Sequence, residues 1–171
     1  MILTGLKIRE SVENGDIVID PFDHSMINPN SYNYRLGDTL LVSQQKEFDA
    51  SATPGWVPVS MPQGGYLLEE RRLYLGSTFE IIGSHKYVTS LIGRSSMGRL
   101  GLFVQVTADL GHQGAVHRWT LELYCVQPIW VYPGMKIGQV SFWKVSGASQ
   151  LYDGNYGRHF SPAPNEGDLR R

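Results

Sequence analysis

Two stretches of the 171-residue chain carry side chains whose types and spacing suit chemistry on an anionic ligand. Segment 93–102 places three glycines, two arginines and two serines within ten residues. Glycines allow tight turns, successive amides can surround an anion, and serine hydroxyls and guanidinium groups bind phosphate. The alternative is a surface loop with two solvated arginines. Because strands are predicted on both sides, at 86–92 and 102–107, we favour a ligand loop held by a rigid scaffold.

The second stretch is a strand predicted over 118–126, with Glu122 near its middle. Alternation along a strand places Thr120, Glu122 and Tyr124 on one face. The side chains on the opposite face are apolar: Leu121, Leu123 and Cys125. A carboxylate in this setting is costly unless it is paired or used. The pattern alone leaves open a solvated sheet face, a salt bridge to arginine, or catalysis.

The elements that would position these groups are mostly short strands. Apolar or alternating runs punctuated by glycine and proline predict an all-β sandwich or barrel. Thr4 is a candidate cap for a short helix ending near Asn14. The predicted strands are 17–19, 31–36, 39–42, 66–69, 72–75, 79–82, 86–92, 102–107, 118–126, 129–132 and 137–145. Residues 44–65 are interpreted as a surface excursion, and residues 146–171 as a flexible tail of a single domain spanning 1–171.

Composition excludes several classes of protein. The net charge of −1 gives no electrostatic basis for bulk binding to nucleic acid or to a membrane surface. No apolar run approaches the length of a membrane span, and the first residues lack the apolar centre of a signal peptide. The single cysteine, Cys125, cannot form an internal disulfide, which fits a reducing cytoplasm.

Segment 93–102, with the sequence GRSSMGRLGL, resembles the most characteristic motif of the dCTP deaminases, a branch of the dUTPase superfamily. Four further blocks resemble the family in family order. They are MILTG at 1–5, INPNSYNYRLG at 27–37, WTLEL at 119–123 and YPGMKIGQ at 132–139. The resemblance implies a mainly β, distorted barrel or jelly-roll-like dUTPase-type fold with a short N-terminal helix. It also implies a homotrimer with active sites between subunits.

The implied reaction is metal-independent hydrolytic deamination of a cytosine nucleotide, in which water adds to C4 and ammonia leaves. By motif match, Glu122 is the general base and acid, the Ser95 hydroxyl and the Ala108 carbonyl hold the water, and Arg99 steers it. Arg94 and Ser96 match residues on the triphosphate. The remaining substrate-binding candidates are Gly98, Gln139, Tyr152, Tyr156 and Arg158, the last three in a tail that resembles the family segment over the phosphates.

Zinc chemistry is not expected. The chain has one cysteine and lacks both Cys-x-x-Cys and His-x-Glu, and His112 and His117 with Cys125 do not have the spacing of a zinc site. Mg²⁺ is expected only as an ion carried by the nucleotide phosphates.

Some residues depart from the family pattern. An ungapped match places His112 where the family has an acid that assists phosphate hydrolysis in dUTPases, and Asp109 could replace that acid only if the loop were rebuilt. Asn33 replaces an aspartate, Asn155 replaces a lysine, and His159 lies near a usual glutamine. The absence of that acid argues against strong dUTPase activity, so we expect dCTP to be converted to dUTP. The alternatives are another cytosine nucleotide, a pyrophosphatase with or without deamination, and a non-catalytic nucleotide-binding regulator.

Overall fold

The computed structural model describes residues 1–45, 47–52, 54–105, 107–154, 157 and 159–165. Helix α1 spans Gly5–Glu13, and the side chain of Thr4 caps it by accepting a hydrogen bond from the Lys7 amide at 3.3 Å. Helix α2 is a short segment, Ser95–Arg99, and a 3₁₀ helix spans His24–Met26. The helix predicted between Thr4 and Asn14 is thus confirmed as α1. None of the helices in the described ranges is long and apolar enough to cross a membrane.

Strands form most of the regular structure and pair into four antiparallel sheets in the described residues. Their orders are β1-β7-β11, β10-β8-β14-β2, β4-β3-β6-β12-β9 and β13-β5. In chain order, β1–β14 are Val18–Asp20, Tyr32–Arg35, Thr39–Ser43, Trp56–Ser60, Tyr66–Leu68, Leu73–Ser77, Ile81–Gly83, Tyr87–Gly93, Leu102–Val104, Leu110–Gly111, Val116–His117, Thr120–Cys125, Ile129–Val131 and Lys136–Lys144. The prediction of a mainly β fold with a short N-terminal helix is confirmed.

Strand β12 shows the predicted alternation. Leu121, Leu123 and Cys125 are fully buried in the core, whereas Glu122 is partly exposed on the other face. Because β12 lies between β6 and β9 in the five-stranded sheet, both of its edges are hydrogen bonded. Glu122 is therefore carried by a rigid inner strand.

Several predicted strand boundaries differ from the structure, and one strand lies in a segment for which none was predicted. Residues 44–65 include β4, which contains Pro58 and lies at the edge of its sheet, where a missing N–H is tolerated. The strand predicted over 102–107 ends at Val104, because Gln105 adopts a left-handed backbone conformation with φ 53°. The strand predicted over 118–126 begins only at Thr120, since the chain changes sheets after β11.

A buried ion pair fixes the family-like block 27–37. The Glu80 carboxylate is fully buried and accepts hydrogen bonds from the main-chain amide of Arg35 at 2.9 Å and from its Nε at 2.6 Å.

In the same block, the Asn33 side-chain amide donates to the Met26 carbonyl and to Asn28 Oδ1. An aspartate in the ionised form has no proton to donate to either oxygen, which explains why asparagine suits this site.

Candidate functional site

The Glu122 side chain is oriented by its own chain. Its Oε2 accepts a hydrogen bond from the Thr107 hydroxyl at 3.1 Å. Its main-chain N–H donates to Gln105 Oε1 at 2.9 Å. The carboxylate thus has one oxygen held by a hydroxyl group, in a strand whose position is fixed on both sides. A carboxylate held in this way is suited to exchange protons with a bound water.

Glu122 lies between two cavities. One has a volume of about 290 Å³ and the other about 930 Å³, and Ala108, Thr120 and Glu122 line both. Three histidines, a tryptophan and a tyrosine help to line the smaller cavity, and most side chains that line the larger one are apolar. The carboxylate can therefore meet a ligand from either side.

Ala108 lies where a carbonyl near Glu122 was predicted. Its carbonyl oxygen accepts a hydrogen bond from Gln105 Nε2 at 3.2 Å. The structure thus brings Ala108 and Glu122 to the same cavity walls. Gln105 and Thr107, which contact them, were not identified from the sequence. Both fell inside a predicted strand, and a strand pattern gives no signal for the left-handed turn that folds these residues back toward Glu122.

The arginine- and serine-rich segment lies elsewhere. Ser95, Ser96, Gly98 and Arg99 are exposed in α2, and Arg94 precedes the helix without capping it through its side chain. In the described part of the chain, no residue of 94–99 lines either cavity beside Glu122. Neither arginine forms an ion pair there. The segment predicted as a loop is a short helix. Within a single chain, this helix does not lie at the cavities beside Glu122.

Gln139 lies on a strand that pairs with β8, the strand that leads into α2. It is in β14, paired in register with Ile92, two residues before Arg94. Its Oε1 accepts a hydrogen bond from the Ser31 hydroxyl at 3.0 Å. The structure therefore gives this residue a link to the 27–37 block and does not bring it to the Glu122 cavities.

Part of the C-terminal segment lies against the smaller cavity. Tyr152 lines it together with Glu122, stacks on His112 with ring centroids 5.2 Å apart, and donates its amide to the Gln113 carbonyl. Further along, the Ala163 amide donates to the Thr120 hydroxyl at 3.0 Å. The structure thus brings Tyr152 close to the predicted catalytic strand. Tyr156, Arg158 and Asn155 lie outside the described residues.

Histidines form another part of the smaller cavity. His112, His117 and His159 all line it. Burial lowers the pKa of His117, and this effect outweighs the opposing hydrogen bond to the Arg118 carbonyl. The described residues contain no group of three or more histidine, cysteine, aspartate or glutamate side chains placed to hold a metal ion. Cys125 is buried with its thiol against the Glu69 carbonyl.

Asp109 lies apart from the two cavities beside Glu122. It is exposed, its carboxylate accepts a hydrogen bond from the Ser90 hydroxyl at 3.0 Å, and it lines neither cavity. Of these two carboxylates, Glu122 alone lines the cavities.

Comparisons with known proteins identify the family of the chain. A family model described as dCTP deaminase-like matches residues 2–145. A protein of Cytophaga hutchinsonii named dCTP deaminase, dUMP-forming is 48% identical over 159 residues, which are 93% of this chain and 91% of the relative. One of Clostridium acetobutylicum with the same name is 45% identical over 152 residues, covering 89% of this chain and 87% of the relative.

Among solved structures, the chain resembles 2'-deoxycytidine 5'-triphosphate deaminase from Agrobacterium tumefaciens, with a TM-score of 0.65 and 23% sequence identity. The match covers 82% of this chain but 47% of that protein, so the chain spans about half its length. This likeness confirms the predicted fold class.

Proposed function

Since the chain belongs to the dCTP deaminase-like family, we propose that it removes the amino group from C4 of dCTP by hydrolysis. The observation that carries the proposal is Glu122, a partly exposed carboxylate on an inner strand, held by Thr107 at the wall of two cavities. Water adds to C4, a proton reaches N3, and the amino group leaves as ammonia. Glu122 takes one proton from the attacking water and delivers it to N3. It then takes the second proton from the hydroxyl group on C4 and passes it to the amino group, so that ammonia leaves as the C4 carbonyl forms.

The other roles follow the family motif. The Ala108 carbonyl and the Ser95 hydroxyl hold the water, and Arg99 orients it and stabilises developing charge. Arg94 and Ser96 bind the phosphates, with Gly98, Gln139, Tyr152, Tyr156 and Arg158 as further substrate contacts. Mg²⁺ enters with the nucleotide, bound to its phosphates. Support for the phosphate-binding roles comes from the exposed hydroxyl and guanidinium groups of segment 94–99, which suit an anion.

We further propose a homotrimer in which Ser95 and Arg99 of one subunit complete the site around Glu122 of another. Two features support this assembly. Segment 94–99 faces outward and lines neither cavity of its own chain. The larger cavity also leaves apolar side chains of the sheet uncovered, with Leu73 and Tyr124 about 40% exposed. A neighbouring subunit would cover this face, since identical subunits commonly assemble with closed symmetry.

The expected end product, dUTP, needs correction. The relatives from Cytophaga hutchinsonii and Clostridium acetobutylicum are both named dUMP-forming. We therefore propose dUMP as the product. After deamination, a second water attacks dUTP, the bond between the α- and β-phosphates breaks, and pyrophosphate leaves. On this proposal, the second step does not require an acidic residue at the position of His112.

A product assay tests the proposal. The protein is incubated with dCTP, CTP, dCMP and 5-methyl-dCTP in the presence of Mg²⁺, and ammonia, pyrophosphate and nucleotides are measured separately. We expect ammonia, dUMP and pyrophosphate from dCTP. Ammonia with dUTP alone would restrict the activity to deamination. Pyrophosphate without ammonia would indicate a pyrophosphatase, and binding without either product would indicate a regulator.

A further inference from the structure

Gln105 combines two features that are unfavourable for a glutamine. Its backbone is left-handed, with φ 53°, and its side chain is buried, with 7% exposure. Residues other than glycine rarely adopt this conformation, and such strain tends to persist where surrounding contacts demand it. The contacts that hold Gln105 in this unfavourable conformation are therefore candidates for a functional role.

Three hydrogen bonds hold Gln105, and together they link two segments. Its main-chain N–H donates to the Glu122 carbonyl at 3.3 Å, and its Oε1 accepts the Glu122 N–H at 2.9 Å. Its Nε2 donates to the Ala108 carbonyl at 3.2 Å. One side chain thus spans from the strand that carries Glu122 to the carbonyl beside it.

This link continues the sheet after β9 has ended. The last paired residues of β9 and β12 are Val104 and Leu123. Beyond them, the side-chain amide of Gln105 takes the place of the missing strand. The chain then turns back, so that the Thr107 hydroxyl reaches Glu122 Oε2.

We propose that Gln105 is a positioning residue for deamination, one that sets the separation between the Glu122 carboxylate and the Ala108 carbonyl. This inference rests on the proposed function, in which a water lies between those two groups. Gln105 acts through them, although it also lines the smaller cavity. Small displacements of reacting groups can lower a rate by about 10²-fold.

The amide is chemically suited to this role because it offers an acceptor and a donor at once. The acceptor satisfies Glu122 N–H, and the donor satisfies the Ala108 carbonyl. A carboxylate of the same shape keeps the first bond. It loses the second, because an ionised carboxylate has no proton to donate, and it regains that proton at acid pH.

Two substitutions separate this role from a purely structural one. Gln105→Glu keeps the side-chain shape, removes the donor and adds a negative charge at neutral pH, whereas at acid pH it regains a donor and loses that charge. Gln105→Gly removes the side chain but suits the left-handed backbone. Arg71→Gly is the matched control, because Arg71 is the other described non-glycine residue with positive φ, at 57°, and it lines neither cavity.

The readouts are kcat and KM for dCTP between pH 5.5 and 8.5, with far-UV circular dichroism to confirm folding. At pH 8 we expect kcat to fall about 10- to 100-fold for both Gln105 variants, with KM changed less than about threefold. Arg71→Gly should match the wild type. The activity of Gln105→Glu, divided by that of the wild type, should rise as the pH falls. The ratio removes the part of the pH dependence that both proteins share, since the other titratable groups lining the same cavity are present in both: Glu122, His112, His117, Tyr152 and His159.

Full activity in Gln105→Gly would overturn the inference, because backbone conformation would then be the only requirement. A loss in Gln105→Glu that does not vary with pH would also overturn it. A wild-type protein that releases no ammonia from any cytosine nucleotide would instead refute the proposed function, together with the inference that rests on it.

Discussion

The region around Glu122 and the segment 94–99 differ in how their polar groups are satisfied. Around Glu122, a carboxylate, two main-chain groups and a carbonyl are held by Gln105 and Thr107 of the same chain. In segment 94–99, two serines and one arginine are exposed, and neither Arg94 nor Arg99 forms an ion pair with any described residue. One region is organised before a ligand arrives, and the other offers free donors.

This difference suggests a division of labour within the proposed site. Chemistry at C4 needs groups fixed to a fraction of an ångström, which favours a strand in the middle of a sheet. Phosphate binding needs donors that are accessible, and the negative charge of the ligand supplies the missing partner. If the division is correct, substitutions in the two regions should affect different measured quantities.

The largest effect is expected from Glu122→Gln. Glutamine keeps the shape and can still accept the Thr107 hydrogen bond, but it cannot take up a proton at neutral pH. We expect turnover to fall by about 10²- to 10⁴-fold, while nucleotide affinity is retained. Ammonia release and equilibrium nucleotide binding measure the two quantities. Glu70→Gln, which removes an exposed carboxylate outside both cavities, is the control.

Retention of more than about a tenth of wild-type turnover, far short of the expected loss, would mean that Glu122 has a structural role. Such a result would contradict the proposed division between the region around Glu122 and segment 94–99, because the organised region would then not be the catalytic one.

A mixing experiment tests whether the two regions meet across subunits. Ser95→Ala and Glu122→Gln should each be nearly inactive. If trimers reassemble at random from a 1:1 mixture, about a quarter of the sites will combine an intact Ser95 with an intact Glu122 from a neighbour. We therefore expect about a quarter of wild-type ammonia release. No recovery after verified subunit exchange would place both residues in one subunit's site.

The sequence predicted the organised region better than the free one, for physical reasons. Alternation along β12 identified the face of Glu122, because a half-buried strand must keep apolar side chains on one side. It could not identify Gln105, whose role depends on a left-handed turn and on a partner 17 residues away. Strand β4 was not predicted because it contains Pro58, and proline disfavours a strand unless the strand lies at the edge of a sheet. Which strands lie at an edge depends on the tertiary fold.

The site residues of segment 94–99 were named by their resemblance to a family motif. Their positions relative to Glu122 cannot be read from one chain, and their roles stay predictions. The sequence also gave no indication that these residues form a short helix, since Gly98 disfavours one. A Cβ at Gly98 would meet nothing within 4 Å, so space within this chain does not require the glycine.

A smaller effect is expected from removal of residues 151–171. Tyr152 lines the cavity beside Glu122, and the segment is attached by a few hydrogen bonds to the 113–120 region. Loss of phosphate contacts should raise KM by about tenfold, since one hydrogen bond to a charged group contributes roughly 1.5–3 kcal/mol. The strands should remain folded, as circular dichroism can verify. An unchanged KM and turnover would exclude any role for this segment in binding.

The smallest effect concerns stability and separates the two regions without any substrate. His117 is buried, with its ring 4.3 Å from that of Trp119, and burial lowers its pKa. The unfolded chain therefore binds a proton at His117 more readily than the folded chain does. Below about pH 6.5, the ordinary pKa of histidine, unfolding takes up this proton, and the folded state loses stability until the pH passes the folded pKa. His117→Gln does not titrate, so the decrease in Tm between pH 7.5 and pH 5 should be smaller than in the wild type.

Arg94→Ala is the matched test in the other region, because a guanidinium group stays charged throughout this range and Arg94 has no described ion pair. Its pH dependence of Tm should equal that of the wild type. An identical decrease in all three proteins would mean that the histidine beside Glu122 is not coupled to folding, and the distinction between an organised and a free region would then rest on the kinetic experiments alone.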